Sequence, residues 1–248
     1  MNYSINKKIM SERFKRSAKT YHKEALVQRQ IAQHLCELVR PYVSKPVSLL
    51  EIGCGTGFLT QEIMQHLPIC SALLNDINSE MEPFIHHFLS EHKKFIAADA
   101  EDYPFSDNFN LIMSSSVIQW FNNIEKFIFN VYSSLTENGI IAFSTFGTKN
   151  MKEIKKITGI SLPYPDIRVY LKPYFQILHY EEQVFKVRFE TPLSVLQHLK
   201  NTGVNGVQQT SWNIKQINSF KAEYEKLYKV ENEVSLTYHP IYVIATKK

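Results

Sequence analysis

The 248-residue chain is 44% hydrophobic and 21% charged, which excludes a disordered or fibrous protein and suits one globular domain or a domain with an insertion. A net charge of +4 permits an acidic partner, but the basic residues lack the interleaved aromatics of a nucleic-acid platform. No apolar run is long enough for a membrane span, residues 1–8 hold no apolar core of a secretion signal, and Cys36, Cys54 and Cys70 form neither a disulfide framework nor a metal site, so a cytoplasmic protein without metal is expected.

In chain order, Phe14, Ala18, Tyr21, Ala25, Ile31 and Leu35 recur at helical spacing, so residues 13–39 are expected as one helix ended by Pro41. A strand at 47–52 runs into Gly53-Cys54-Gly55-Thr56-Gly57, then a helix at 58–66 stops near Pro68. Further expectations are a strand at 71–77, a helix at 81–92, strands at 95–98 and 110–115, and a helix at 125–136. Asn138-Gly139 reads as the turn into a fifth strand, 140–146. Strands alternating with helices in this way predict a doubly wound, parallel α/β sheet. Such sheets bind ligands at the carboxyl ends of their strands. Glu51, Asp76, Asp99, Ser114 and Ser115 fall there. Beyond Phe146 the rhythm changes. Helices are expected at 149–158 and 166–174, separated by Pro163 and Pro165, then a strand-like stretch at 175–189. Helices at 192–202 and 213–228 and a closing strand at 236–246 complete the pattern.

The run from Leu49 to Gly57 carries the most chemistry. Its glycines stand at every second position, which lets backbone approach a ligand and turn sharply into a helix. A phosphate-binding loop would place a Lys near its end, and a dinucleotide fingerprint has a wider last glycine gap. Here the acidic Glu51 stands beside the glycines instead. The ligand is therefore expected to be nucleoside-like without a polyphosphate, and S-adenosylmethionine, with its ribose, amino acid and cationic sulfur, fits. A nicotinamide-dependent dehydrogenase and a glycine turn that binds nothing are the competing readings. Asp76 lies one βαβ step on, where an acid can take both ribose hydroxyls or else cap the helix near Ser79. Met81 lies near the adenine or fills a core gap.

At Glu51-x-Gly53-x-Gly55-x-Gly57 the sequence resembles the first motif of class I S-adenosylmethionine-dependent methyltransferases, and Asp99-Ala100-Glu101 resembles their Asp-Ala-Glu segment. Ser114-Ser115-Ser116 followed by Gln119-Trp120 narrows the resemblance to the malonyl-[acyl-carrier protein] O-methyltransferases of biotin synthesis. Phe14-Lys15-Arg16-Ser17-Ala18 with Tyr21, Gln28-Arg29-Gln30, the helix end from His198 to Gly203, and Leu236-Thr237-Tyr238-His239 are similar to the same family. The stretch from Phe146 to Asp166 departs from it, being short. The resemblance implies a seven-stranded, mostly parallel Rossmann-like sheet with an antiparallel last strand. It implies a core of residues 1–190 plus 235–248 and a helical substrate cap at 191–234, which 149–165 would join. It further implies that Gln28, Glu51, Gly53, Cys54, Gly55, Asp76, Ile77, Met81, Asp99, Ala100, Glu101, Ser114 and Ser115 bind the cofactor, Asp99 accepting from the adenine amino group.

The implied substrate is a malonyl thioester on acyl-carrier protein. Its free carboxyl, with a pKa of roughly 3.5, is already ionised at neutral pH, so no general base is needed. The site must align an oxygen with the methyl carbon and strip away water without clamping the nucleophile. Neutral donors suit that task, and Tyr21, Gln119, Tyr238 and His239 are the expected ones, with Trp120 as a pocket wall. Lys7, Lys8, Arg13, Lys15, Arg16 and Lys19, and separately Lys149, Lys152, Lys155 and Lys156, are basic groups that could meet an acidic carrier. A methyltransferase for another carboxylate or a quinone ring carbon is the alternative enzyme. A non-catalytic S-adenosylmethionine-binding partner protein is the alternative outside catalysis.

Overall fold

The computed structural model describes residues 4–106, 108–203 and 212–248. The chain divides into two compact units, and each is interrupted in sequence. The larger comprises Leu26–Thr145, Asp166–Glu181 and Ile241–Lys248. The smaller comprises Met1–Ala25, Phe146–Pro165 and Glu182–Pro240.

The larger unit is built on a sheet. Its strands are β1 (Val47–Ile52), β2 (Ile69–Asp76), β3 (Lys93–Ala97), β4 (Phe109–Ser115), β5 (Leu135–Phe146) and β6 (Phe175–Glu182). The smaller unit contributes β7 (Phe185–Phe189), β8 (Lys229–Val230) and β9 (Glu233–Tyr238), and β10 (Pro240–Lys247) returns to the large sheet. The seven-stranded order is β3-β2-β1-β4-β5-β10-β6. The pairs from β3 through β5 are parallel, and the sheet as a whole is mostly parallel with an antiparallel strand. The central strand β1 reads as an apolar run because both its faces are covered, and Leu49, Leu50 and Ile52 are buried. Helices α2 (Leu26–Val39), α3 (Phe58–His66) and α5 (Ile124–Ser134) follow the helical spacing of their buried residues. Phe127, Ile128 and Val131 of α5 join Leu50, Ile112, Phe143 and Val243 in one core cluster.

In the smaller unit, β7, β9 and β8 form a three-stranded antiparallel sheet. Around it lie α1 (Lys7–Glu24), α6 (Lys152–Thr158), α8 (Pro192–Asn201) and α9 (Ile214–Tyr228). Helix α1 packs on α8, and the Thr20 hydroxyl donates to the Asn201 carbonyl at 3.0 Å. Gly203 ends α8 at φ +68°, and a Cβ there would press on Phe14 and Ser17 of α1. The cap expected at 191–234 lies within this unit, except that residues 204–211 are outside the described residues.

Several expected elements differ from the structure. The single helix at 13–39 is two helices. The Asn6 side chain caps the first by accepting from Ile9 N at 3.0 Å, so it starts at Lys7. Ala25, at ψ +50°, leaves the helical region and divides them. The helix at 81–92 is reduced to α4 (Glu82–Ile85) between 3₁₀ turns at Ser79–Met81 and His86–Phe88, because Ser90 already bridges Lys93 at the mouth of β3. Strand β5 begins at Leu135. Asn138 (φ +61°) sits inside it, where the β4–β5 register shifts, rather than in a turn before it. The stretch 175–189 is two strands in different sheets, and so is 236–246. The second break falls at His239-Pro240, where proline removes a ladder donor. The remaining helix α7 (Ile167–Leu171) is shorter than expected.

Candidate active site

Strand β1 ends at Ile52 and releases the chain into three left-handed glycines, with φ of +71° at Gly53, +51° at Gly55 and +88° at Gly57. Two of them meet different surroundings. A Cβ on Gly53 would overlap Val117, so packing excludes it. A Cβ on Gly55 would meet nothing within 4 Å, so its backbone borders open space. The turn is pinned from β2. Cys54 N donates to the Asn75 carbonyl at 2.8 Å, and Gly55 N donates to Asp76 Oδ2 at 3.0 Å.

The electrostatics of this crossing are acidic. Burial pushes the Asp76 carboxyl up to about 6, against the pull of backbone N–H groups of Asn78, Gly55 and Ile77. Asn78 N donates to Asp76 Oδ1 at 2.9 Å. Each Asp76 oxygen therefore holds one amide and keeps further lone pairs. Glu51 is fully buried, and burial raises its carboxyl to about 8. The Thr60 hydroxyl is near enough to offset part of that rise, yet neither Glu51 oxygen nor Thr60 Oγ1 finds a hydrogen bond of ordinary geometry among the described residues. Gln28 Oε1, Thr56 Oγ1 and Ser116 Oγ are likewise buried without a partner. Unpaired acceptors in an acidic setting suit a cationic ligand that brings its own N–H and O–H donors. S-adenosylmethionine, with its sulfonium, ammonium and ribose hydroxyls, fits this set of groups.

The other expected cofactor positions divide into two kinds. Met81 and Ala100 are buried, and Ile77 and Asp99 are half-buried. Asp99 Oδ1 accepts from Glu101 N at 3.1 Å, which shapes the loop after β3. Ser114 and Ser115 close the end of β4. Ser114 Oγ donates to the Ile52 carbonyl at 2.9 Å, and Ser115 Oγ lies 3.1 Å from Ser144 Oγ. Glu101 has its carboxylate engaged within the chain. Its two oxygens accept from Asn122 N at 2.9 Å and Asn123 N at 2.6 Å, so it scaffolds the start of α5. Gln119 sits in a 3₁₀ turn, and its Nε2 donates to the Ser116 carbonyl at 2.6 Å.

Tyr21, Tyr238 and His239 belong to the smaller unit. Tyr21 is half-buried. Tyr238 is fully buried, with its hydroxyl 2.6 Å from His198 Nε2 and its ring stacked on Phe185. Burial raises the Tyr238 phenol and lowers His198, so the pair is neutral at physiological pH. The His239 ring is held on both sides. Its Nδ1 accepts from Lys149 N at 3.2 Å, and its Nε2 lies 2.9 Å from Glu182 Oε2. A backbone N–H can only donate, so the proton of a neutral ring sits on Nε2 and points at Glu182. Both ring nitrogens thus have a partner within the chain, which ties His239 to the segment after β5 and to Glu182. A Cβ on Gly147 would overlap its ring, which explains the glycine there. Sequence reasoning missed Thr60, Asn150, Glu153 and Tyr164. Nothing local in the sequence marks Thr60, Asn150 or Glu153, and Pro163 and Pro165 mark only a break around Tyr164.

A mostly parallel sheet in this strand order, with an acid-lined glycine turn at the end of its central strand, defines an S-adenosylmethionine-dependent methyltransferase, and a family profile described as a methyltransferase domain matches residues 50–143. The chain is 39% identical over 259 residues to the malonyl-[acyl-carrier protein] O-methyltransferase of Bacteroides thetaiotaomicron, covering 98% of this chain and 99% of that one. It belongs to the malonyl-[acyl-carrier protein] O-methyltransferase family. Among solved structures, the YcgJ protein of Bacillus subtilis superposes with a TM-score of 0.61 at 13% identity, covering 87% of this chain and 98% of that one. The N-methyltransferase NodS of Bradyrhizobium japonicum in complex with S-adenosyl-L-homocysteine gives 0.54 at 14% identity, covering 88% and 86%. At such identities the two structures speak for the fold.

Proposed function

We propose that this enzyme transfers the methyl group of S-adenosylmethionine to the free carboxylate of a malonyl thioester on acyl-carrier protein, early in biotin synthesis. The observation that carries this reading is likeness along the whole chain, not along the cofactor motif alone, to enzymes bearing that name. When bound, S-adenosylmethionine would supply a methyl carbon on a cationic sulfur, whose S–C electron pair would stay with sulfur on transfer to the carboxylate oxygen.

The chain's own residues have two tasks. Asp76 and Glu51 provide negative charge and acceptors for the cofactor, with Asp76 also bracing the turn at Gly55. The neutral donors assigned to the carboxylate are Tyr21, Gln119 and Tyr238, which orient an anion without neutralising its attacking lone pair. No proton leaves the nucleophile, so the absence of a free base in this role is no obstacle. The smaller unit is assigned to substrate capping. Helices α1 and α6 carry most of the basic residues assigned to meet the acidic carrier, Lys7, Lys8, Arg13, Lys15, Arg16 and Lys19 on one and Lys152, Lys155 and Lys156 on the other. Among the described residues no helix is long and apolar enough to cross a membrane. The cytoplasm is assigned from the cysteines, which are all free.

Incubation with methyl-labelled cofactor and malonyl-acyl-carrier protein tests the proposal. Mass spectrometry should find a methyl ester on the malonyl group. Label on another carboxylate or on a ring carbon would replace this substrate, and binding without turnover would replace the activity.

A further inference from the structure

Strand β4 ends at Ser115, and the next residue leaves it in a conformation that costs energy. Ser116 has φ +60°, in the left-handed region that glycine enters freely and a residue with a Cβ does not. Both of its backbone groups are tied down. Ser116 N donates to the Ser144 carbonyl and to Ser144 Oγ, each at 3.1 Å, and the Ser116 carbonyl accepts from Gln119 Nε2 at 2.6 Å. A strained backbone persists where its surroundings fix it in this way. The side chain gains nothing from the strain within the chain. Ser116 Oγ is buried and meets no hydrogen-bond partner among the described residues. Glycine at this position would avoid both costs, the left-handed Cβ and the unpaired hydroxyl.

Ser116 stands beside the glycine turn. Two residues earlier, Ser114 Oγ donates to the carbonyl of Ile52, the last residue of β1. One residue later, Val117 lies so close to Gly53 that a Cβ there would overlap it. The sheet order sets β4 on one side of β1 and β2 on the other. Asp76, at the end of β2, therefore reaches the turn from the side opposite Ser116. With the ribose assigned to Asp76, the amino acid end of the cofactor is the part left for the β4 side. Its ammonium donates and its carboxylate accepts, and a hydroxyl can answer either. Ser116 as a whole is half-buried, so a step between staggered positions about its Cα–Cβ bond carries Oγ toward the surface.

We propose that Ser116 binds the amino acid end of S-adenosylmethionine through its hydroxyl, and that this contact is what the strained backbone after β4 holds in place. The experiment needs no methyl acceptor, so its outcome is separate from that of the substrate proposed above.

Ser116→Gly removes the Cβ and the hydroxyl together. It should raise the melting temperature of the cofactor-free protein by about 2–4 °C. Its affinity for S-adenosylmethionine, read by isothermal titration, should nevertheless fall about tenfold. Ser116→Ala keeps the Cβ and its strain. It should lose the same affinity with a smaller gain in melting temperature. Competition by 5′-methylthioadenosine, which lacks the amino acid end, should return the same dissociation constant for the wild type and both variants. Wild-type affinity for S-adenosylmethionine in Ser116→Ala, whatever Ser116→Gly does, overturns the role of the hydroxyl. An equal loss for 5′-methylthioadenosine overturns the assignment to the amino acid end. A lower melting temperature in Ser116→Gly overturns the part given to backbone strain.

Discussion

The sheet unit and the smaller unit differ in how completely their buried polar groups are paired. In the sheet unit six buried side-chain atoms, on Gln28, Glu51, Thr56, Thr60 and Ser116, meet no hydrogen-bond partner among the described residues. In the smaller unit the buried polar side chains are paired: Glu153 with Thr237, Asn150 with the His239 backbone N and the half-buried Tyr164, and Tyr238 with the half-buried His198. An unpaired buried acceptor destabilises the empty fold, and it persists where a ligand restores the missing bonds. A paired one holds its neighbours in register. The difference separates a unit preformed for a cofactor from a unit whose internal bonds fix donor directions.

The largest expected effect comes from breaking the paired side. Glu153→Ala strands the Thr237 amide and hydroxyl, both buried, and should lower stability by about 3 kcal/mol in chemical denaturation. Cofactor affinity should change less than twofold. A stability loss below about 1 kcal/mol would erase the contrast between the units.

Asp76→Ala should act the other way round. Cofactor binding, read by isothermal titration, should weaken by about 1–3 kcal/mol. An unchanged affinity would remove Asp76 from the cofactor site.

Glu51 sharpens the comparison through pH. Its folded value, raised to about 8, exceeds the ordinary 4.5 of a glutamate, so the fold favours the protonated form. The stabilisation this provides is complete below 4.5 and is lost as pH rises through 8. Glu51→Gln should therefore raise the melting temperature of the cofactor-free protein at pH 9 and leave it nearly unchanged near pH 4.5. A cationic ligand favours the ionised form, so affinity for S-adenosylmethionine should rise from pH 6 to 8 by at most about tenfold per unit. The same slope in Glu51→Gln would assign the pH dependence elsewhere, with Asp76, raised to about 6, the next group to test.

The smallest expected effect concerns the carrier. Raising ionic strength should increase KM for malonyl-acyl-carrier protein a few-fold and leave a small malonyl thioester almost unaffected. Equal responses would separate the basic residues of α1 and α6 from carrier docking.

The cofactor half of the protein was legible in its sequence because its logic is local. Val47–Ile52, the glycines after it and Phe58–His66 form the elements expected of them, since one apolar strand, one strained turn and one helix follow each other without a gap. Spacing put Asp76 at the end of the strand after the glycine turn, where β2 ends, and its Oδ2 accepts from Gly55 N. The errors cluster where partners are distant in sequence. The expected strand at 236–246 is split because its halves pair in different sheets, and pattern alone does not say with what a strand pairs. The partners of His239, Lys149 and Glu182, are likewise residues that its own neighbourhood does not reveal.

The order of residues by itself determined an α/β alternation and an acidic glycine turn at a strand end, with the methyltransferase reading supplied by resemblance, because strand period, glycine spacing and the position of an acid are properties of contiguous chain. Tertiary structure decided which donors point where. Asn150, Tyr164 and His239 meet only when Phe146–Pro165 and Glu182–Pro240 are folded into one unit, because the direction of a hydrogen bond depends on what stands at its other end.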